Sequence, residues 1–272
     1  MKQLIINADD LGLTQYINRG VFKAYQEGIL TNTSLMVNMP GSEEALDLLK
    51  QNPGLGVGIH LNIFIGKSLA SQSRLSSFTK NGYFLQDTYR LLWILISKRI
   101  NSGELELECR MQIEKALNSG ISITHLDSHM HLHFFGEFHA LIMRLAQEYK
   151  IMRVRCINEL PLLCGKNYRF LRFLKRKYYN ALFLSVCSRA SKVLASKQGI
   201  KTTDYSYGVS ESGVMTEQKY RNAFSCLRDG VTEIICHPGY EDRGVELDAL
   251  LRPGLRTLLN KLDVKLISYN GL

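Results

Sequence analysis

The sequence predicts an α/β fold in which a mostly parallel sheet closes into a (β/α) barrel. Three observations carry this. Short apolar, β-branched runs alternate with helix-periodic segments along the 272 residues, the rhythm of parallel strands joined by crossover helices. No G-x-G-x-x-G follows the first strand, which argues against an open nucleotide-binding sheet. Polar residues stand at the C-terminal ends of four predicted strands, where parallel α/β folds gather functional groups. These are Asp9-Asp10, His60, Asp127 with His129, and His237.

The elements follow in order. Gln3–Ala8 is an apolar run that reads as a buried strand. Gln15–Glu27 places Tyr16, Ile17, Val21, Ala24 and Tyr25 at helical spacing and stops at Gly28, a natural C-cap. Thr31–Val37 is β-branched and strand-like. Ser42–Gln51 predicts a helix with Glu43 and Glu44 in its first turn, where the helix dipole favours them. Leu55–His60 is the next strand, Glu104–Asn118 a helix ending near Gly120, Ile121–Leu126 a strand and Glu137–Tyr149 a helix. Strand Met152–Cys156, helix Thr216–Arg228, strand Thr232–His237, helix Leu247–Leu262 and strand Val264–Ser268 complete the pattern. Two stretches break it, near 64–103 and 160–207. They are expected as insertions covering the site of a single domain, residues 1–272.

A hydrophobic content of 45% and a charged content of 22% are those of an ordinary globular protein able to bury a core without staples. The opening Met1-Lys2-Gln3-Leu4-Ile5-Ile6 reaches Asp9-Asp10 too soon for a secretory signal, and the longest apolar run, Leu91–Ile96, is far below a membrane span. A cytoplasmic location is expected. The six cysteines form no C-x-x-C and read as reduced thiols.

Four of the seven histidines fall between His125 and His133, at odd positions with Asp127 among them. On an extended strand that spacing aims all five groups at one side. Imidazole and carboxylate together are metal-binding chemistry, so the segment points to a metallohydrolase. Adjacent carboxylates at Asp9-Asp10 suit one metal ligand and one base, although an Asp before a helix also suits an N-cap. His60 and His237 each admit a structural reading, and one or more of His125, His131 and His133 would orient a ligand or simply pack. No H-E-x-x-H and no G-x-S-x-G is present, so zincin and serine-hydrolase chemistry have no support.

The strings Asn7-Ala8-Asp9-Asp10-Leu11-Gly12, Gly58-Ile59-His60-Leu61-Asn62, Thr124 through His131, and Cys236-His237-Pro238-Gly239 resemble, in order, the YdjC-like carbohydrate deacetylases, a group that includes the chitooligosaccharide deacetylases. The resemblance spans essentially the whole chain. It implies a distorted TIM-like barrel and a divalent metal on Asp10, His60 and His129. It further implies Asp9 as general base and His237 as general acid, with Arg155 near the substrate. Asn62, His125, Asp127 and His131 are the other candidates for substrate contact or for orienting a ligand. The metal is Mg²⁺ by resemblance, while the ligand set also suits Zn²⁺ or Co²⁺. The implied reaction removes the N-acetyl group from an N-acetylglucosamine-containing carbohydrate, an oligosaccharide or a lipid-linked sugar, and releases acetate. A phosphoesterase or amidohydrolase on the same barrel, or a non-catalytic carbohydrate-binding protein, is the alternative. Leu11 stands where the family commonly has Phe.

The net charge of +9 is local: between Arg144 and Lys201, 14 Lys and Arg oppose only Glu148 and Glu159. Within 166–201 the cations interleave with Tyr168, Phe170, Phe173, Tyr178, Tyr179 and Phe183. That composition suits either a solvated flanking helix or one lying on an anionic membrane surface. Nucleic acid is not expected, since no recognised binding motif accompanies the charge. A homodimer is admitted by the sequence and not required by it.

Overall fold

A computed structural model describes residues 1–159 and 176–272, with only the backbone of 176–180. Seven parallel strands form one curled sheet: β1 (Lys2–Leu11), β2 (Asn32–Leu35), β3 (Gly56–Leu61), β6 (His125–Ser128), β7 (Tyr205–Tyr207), β8 (Gly230–Cys236) and β9 (Val264–Leu266). A two-stranded hairpin, β4 (Thr79–Lys80) and β5 (Tyr83–Phe84), stands apart. The sheet order is β6-β3-β2-β1-β8-β7, with β9 beside the first half of β1. The segment from Arg153 to Glu159 joins the two edges. Val154 bridges Leu126 of β6, Glu159 bridges Ser206 of β7, and Arg153 bridges Lys201. The result is the expected distorted barrel. Met152–Cys156 is therefore a barrel stave without a regular ladder, because its hydrogen bonds are divided between neighbours on both sides.

The helices are α1 (Gln15–Glu27), α2 (Ser42–Gln51), α3 (Thr88–Ile96), α4 (Ser102–Asn118), α5 (Gly136–Glu148), α6 (Arg176–Lys197), α7 (Glu217–Ser225), α8 (Gly244–Leu250) and α9 (Pro253–Lys261). The first two match the expected boundaries. Thr14 caps α1, its hydroxyl accepting from the Ile17 N–H at 3.3 Å, which leaves Asp9 and Asp10 free of that duty. The single helix expected over Leu247–Leu262 is two, since Pro253 cannot continue a helix and opens a new one instead. β7 and α6 both lie in the stretch 160–207, and β7 is a strand of the barrel sheet. Most of the basic, aromatic stretch before Arg176 lies outside the described residues. Cys109, Cys156, Cys187 and Cys236 are free thiols, whereas Cys226 is disulfide-bonded, a pairing that scattered spacing cannot reveal.

Strand alternation sorts the side chains. Leu4, Ile6 and Ala8 of β1, Val57, Ile59 and Leu61 of β3, and Leu126 of β6 face outward into the main apolar core beneath the helices. Their neighbours Asn7, Asp9, Asn32, Ser34, His60, His125, Asp127 and Glu233 face the lumen and are almost wholly buried. The lumen is thus a polar network, closed at one end by the small apolar cluster Ile5, Val231, Ile267 and Tyr269.

Candidate metal centre and active site

Asp9 and Asp10 are neighbours on β1 and would point to opposite faces of a regular strand. The ladder to β2 slips between Ala8 and Leu11, and Asp10 takes a left-handed conformation at φ 68°. That irregularity turns both carboxylates toward one cavity. His60 at the end of β3 and His129 just past β6 complete the corner. The Nδ1 of His129 lies 3.0 Å from Asp10 Oδ1, and the Nε2 of His60 lies 3.5 Å from the same oxygen. Donor atoms of Asp10, His60 and His129 all fall within 4.8 Å of one another.

The chemistry of this set fits a divalent cation. His60 Nδ1–H donates to Asp127 Oδ1 at 2.8 Å, because a carboxylate can only accept. That bond fixes the ring with Nε2 toward Asp10, the orientation a ligating imidazole commonly has. Asp9, His60 and Asp127 also cluster, but there the cation is already built in. Arg155, fully buried, bonds both Asp9 oxygens at 2.7 and 2.8 Å and Asp127 Oδ2 at 2.6 Å. Its remaining edge is held by Glu233 Oε1 at 2.8 and 3.0 Å, and Tyr269 Oη–H donates to Glu233 Oε2 at 2.7 Å.

Electrostatics follow from this packing. Burial opposes charge on Asp9, Asp10 and Asp127, yet their neighbours hold all three pKa values below the ordinary carboxylate value. Arg155 and His60 do so for Asp9 and Asp127, and His129 and His60 for Asp10. Burial would likewise depress His60, but the carboxylates of Asp127, Asp9 and Asp10 reverse it and raise the pKa to about 9. In the metal-free protein His60 is therefore protonated at neutral pH.

The period-two histidine run does not share one face. β6 ends at Ser128, and the chain enters a 3₁₀ turn over His129–Phe134 with Met130 at φ 55° and His131 at φ 56°. His125 and Asp127 stay in the lumen, and His129 and His131 line the cavity. His133 turns away and hydrogen-bonds Ser128 Oγ at 2.6 Å. His125 stacks on Tyr269 with ring centroids 3.8 Å apart. Burial, with the Arg155 charge, pushes His131 down to about 3, and its Nδ1 has no hydrogen-bond partner among the described residues.

His237 sits across the cavity at the end of β8. Its backbone N–H donates to buried Glu246 Oε2 at 2.5 Å, and its Nδ1 lies 3.3 Å from Ser212 Oγ. Four sequence candidates do not line the cavity: His125 and Asp127, held in the lumen, and Arg155 and Asn62. Arg155 lies behind Asp9 and holds both oxygens of its carboxylate from within the lumen. Asn62 organises the loop after β3, accepting from the N–H groups of Phe64 and Ile65 and donating to Ile65 O.

Sequence reasoning missed Arg243, Glu246, Glu233, Ser34 and Tyr269. Arg243 lines the cavity and donates to Asp10 Oδ2 at 2.8 Å. Ser34 Oγ–H donates to Asp127 Oδ2 at 2.8 Å. A carboxylate inside the apolar run Val231–Cys236 was a readable signal for Glu233. Arg243 lies in a polar loop with no pattern to mark it.

The cavity, of about 500 Å³, therefore carries a three-donor cation corner, a carboxylate fixed by a buried arginine and a histidine on the opposite wall. The chain is 32% identical over 244 residues to a carbohydrate deacetylase of Thermoanaerobacter pseudethanolicus, covering 89% of this chain and 83% of that one. It is 29% identical to a carbohydrate deacetylase of Clostridium beijerinckii, covering 99% and 100%. A solved Enterococcus faecalis V583 structure, provisionally named a cellobiose-phosphate cleavage protein, shares the fold with a TM-score of 0.75 at 22% identity, covering 99% of this chain and 98% of that one. The family model described as YdjC-like protein matches residues 3–261. The chain belongs to the YdjC-like family.

Proposed function

We propose that the protein is a metal-dependent N-deacetylase of N-acetylglucosamine-containing carbohydrates. The observation that carries this is the division of the Asp9-Asp10 pair. Asp10 joins His60 and His129, while Asp9 joins Arg155. Asp10, His60 and His129 would hold the cation, which when bound supplies the Lewis acidity that acidifies water and polarises an acetamide carbonyl. Two imidazoles and one carboxylate favour Zn²⁺ or Co²⁺ over Mg²⁺.

Asp9 is ionised and locked by Arg155, so its free lone pairs can take a proton from the attacking water. The water oxygen bonds to the acyl carbon and the C–N bond breaks. His237, on the opposite wall, gives its proton to the departing amine, which cannot leave as an anion. Acetate and a glucosamine unit result. Arg243 and the turn at Met130-His131 bound the space in which the sugar sits.

Purified protein supplied with Zn²⁺ or Co²⁺ should release acetate from N-acetylglucosamine oligomers, and a chelator should abolish release. Asp10→Asn and His129→Ala should each cost at least 100-fold in kcat/KM, since each removes one of three ligands. Unchanged turnover in either variant excludes the ligand set.

The outer face of α6 supports peripheral association with an anionic membrane. Leu182, Phe183, Val186 and Val193 are exposed there beside Arg189 and Lys197, while Ser188, Ser191 and Ala195 pack inward. Among the described residues no helix is long and apolar enough to cross a membrane. Co-sedimentation with phosphatidylserine vesicles at low and high salt tests this, and no binding at low salt removes it.

A further inference from the structure

The catalytic cavity ends at Met130, and a second cavity of about 490 Å³ begins at the same side chain. Its walls are Tyr89 and Leu92 of α3, Met130 and Phe135 of the turn after β6, and Phe183 and Leu184 of α6. Among the described residues no charged side chain lines it. The catalytic cavity is the reverse, lined by Asp9, Asp10, His60, His129, His237 and Arg243. The Phe135 and Phe183 rings, both lining this groove, stack on each other with centroids 5.8 Å apart. Phe183 is 54% exposed, so a large apolar side chain stands open to solvent beside a polar reaction chamber.

The shared boundary is held by a strained backbone. Met130 and His131 are consecutive left-handed residues, a conformation that disfavours L side chains. Met130 lines both cavities, while His131 lines only the polar one.

We infer that the substrate is an amphipathic N-acetylglucosaminide whose apolar aglycone lies in this groove while its acetamido sugar occupies the catalytic cavity. This rests on the deacetylase reading above and names its substrate class. A second sugar ring fits the groove poorly. Its hydroxyls would enter a wall whose described side chains offer only the Thr88 and Tyr89 hydroxyls, and buried hydroxyls without partners are costly. An alkyl or polyisoprenoid chain loses nothing there and gains by leaving water.

The test is binding of methyl, butyl and octyl N-acetylglucosaminides, measured by calorimetry below their micellar concentrations. Each buried methylene should tighten binding two- to fourfold until the groove is full. The octyl glycoside should therefore bind at least 10-fold more tightly than the methyl one. Phe183→Asp should bring that ratio toward one, and Phe183→Leu should keep it. Tyr89→Ala, on α3, should lower it as well. Equal affinity for methyl and octyl glycosides overturns the inference, as does an octyl preference that survives Phe183→Asp. A dimer that Phe183→Asp dissociates, with no effect of chain length, would assign the groove to a second copy and also overturn it. Acetate release from the methyl glycoside reports on the deacetylase reading separately, so the two fail independently.

Discussion

Asp9 shares its guanidinium with two other carboxylates, and that sharing sets how good a base it can be. Arg155 alone would hold Asp9 strongly ionised and weakly basic. Glu233 takes the Nε edge of the same guanidinium and draws part of its charge away. Glu233→Gln should let more of that charge bear on Asp9, moving the acidic limb of the kcat/KM profile to lower pH and reducing kcat severalfold. A purely structural role would lower the melting temperature and leave the limb in place, so the pH profile separates the two. Much of the site was legible at this scale. Asp9, Asp10, His60, His129 and His237 all stood at strand exits, and every one lines the cavity. The groups that orient them were not: Ser34 and Tyr269 act through contacts made far away in sequence, and Glu246, nine residues from the His237 it holds, carries no spacing signal.

At the scale of elements, the sequence named strands and helices well where periodicity and caps agreed, as in α1 and α2. It failed where tertiary contacts decide. β7 is three residues long, and β6 begins four residues later than its apolar run suggested, because pairing starts where His125 meets Gly58. That glycine is a consequence of the polar lumen. A Cβ on Gly58 would stand 2.1 Å from Cε1 of His125, whose ring is clamped against Tyr269. The ring has nowhere to go, since Ser34 Oγ lies 3.3 Å from its other nitrogen. Gly58→Ala should cost about 3 kcal/mol of stability. It should also weaken activity by disturbing Ser34 and Asp127 behind His60. Chemical denaturation together with turnover checks both effects.

Across the whole molecule, the interior of the barrel is a charge balance rather than an apolar plug. Asp9, Asp10, Asp127 and Glu233 face Arg155, His60 and Arg243, and Tyr269, near the C-terminus, closes the far end. Such a balance makes stability a function of pH and of the metal. In the metal-free protein the pKa of His60 is raised from 6.5 to about 9. Its contribution is therefore complete below pH 6.5 and lost as pH rises through about 9, on the order of 3 kcal/mol. The depressed carboxylates act in the opposite sense, contributing above about pH 4 and losing their effect in acid. Chelator-treated protein should thus be most stable between about pH 4 and 6.5 and should weaken steadily toward pH 9. A bound cation replaces the His60 proton, so its affinity should rise with pH up to about 9 and the alkaline loss should disappear. Thermal unfolding from pH 4 to 10, with and without Zn²⁺, measures both branches. An alkaline limb that Zn²⁺ does not alter would show that His60 is not among the metal ligands.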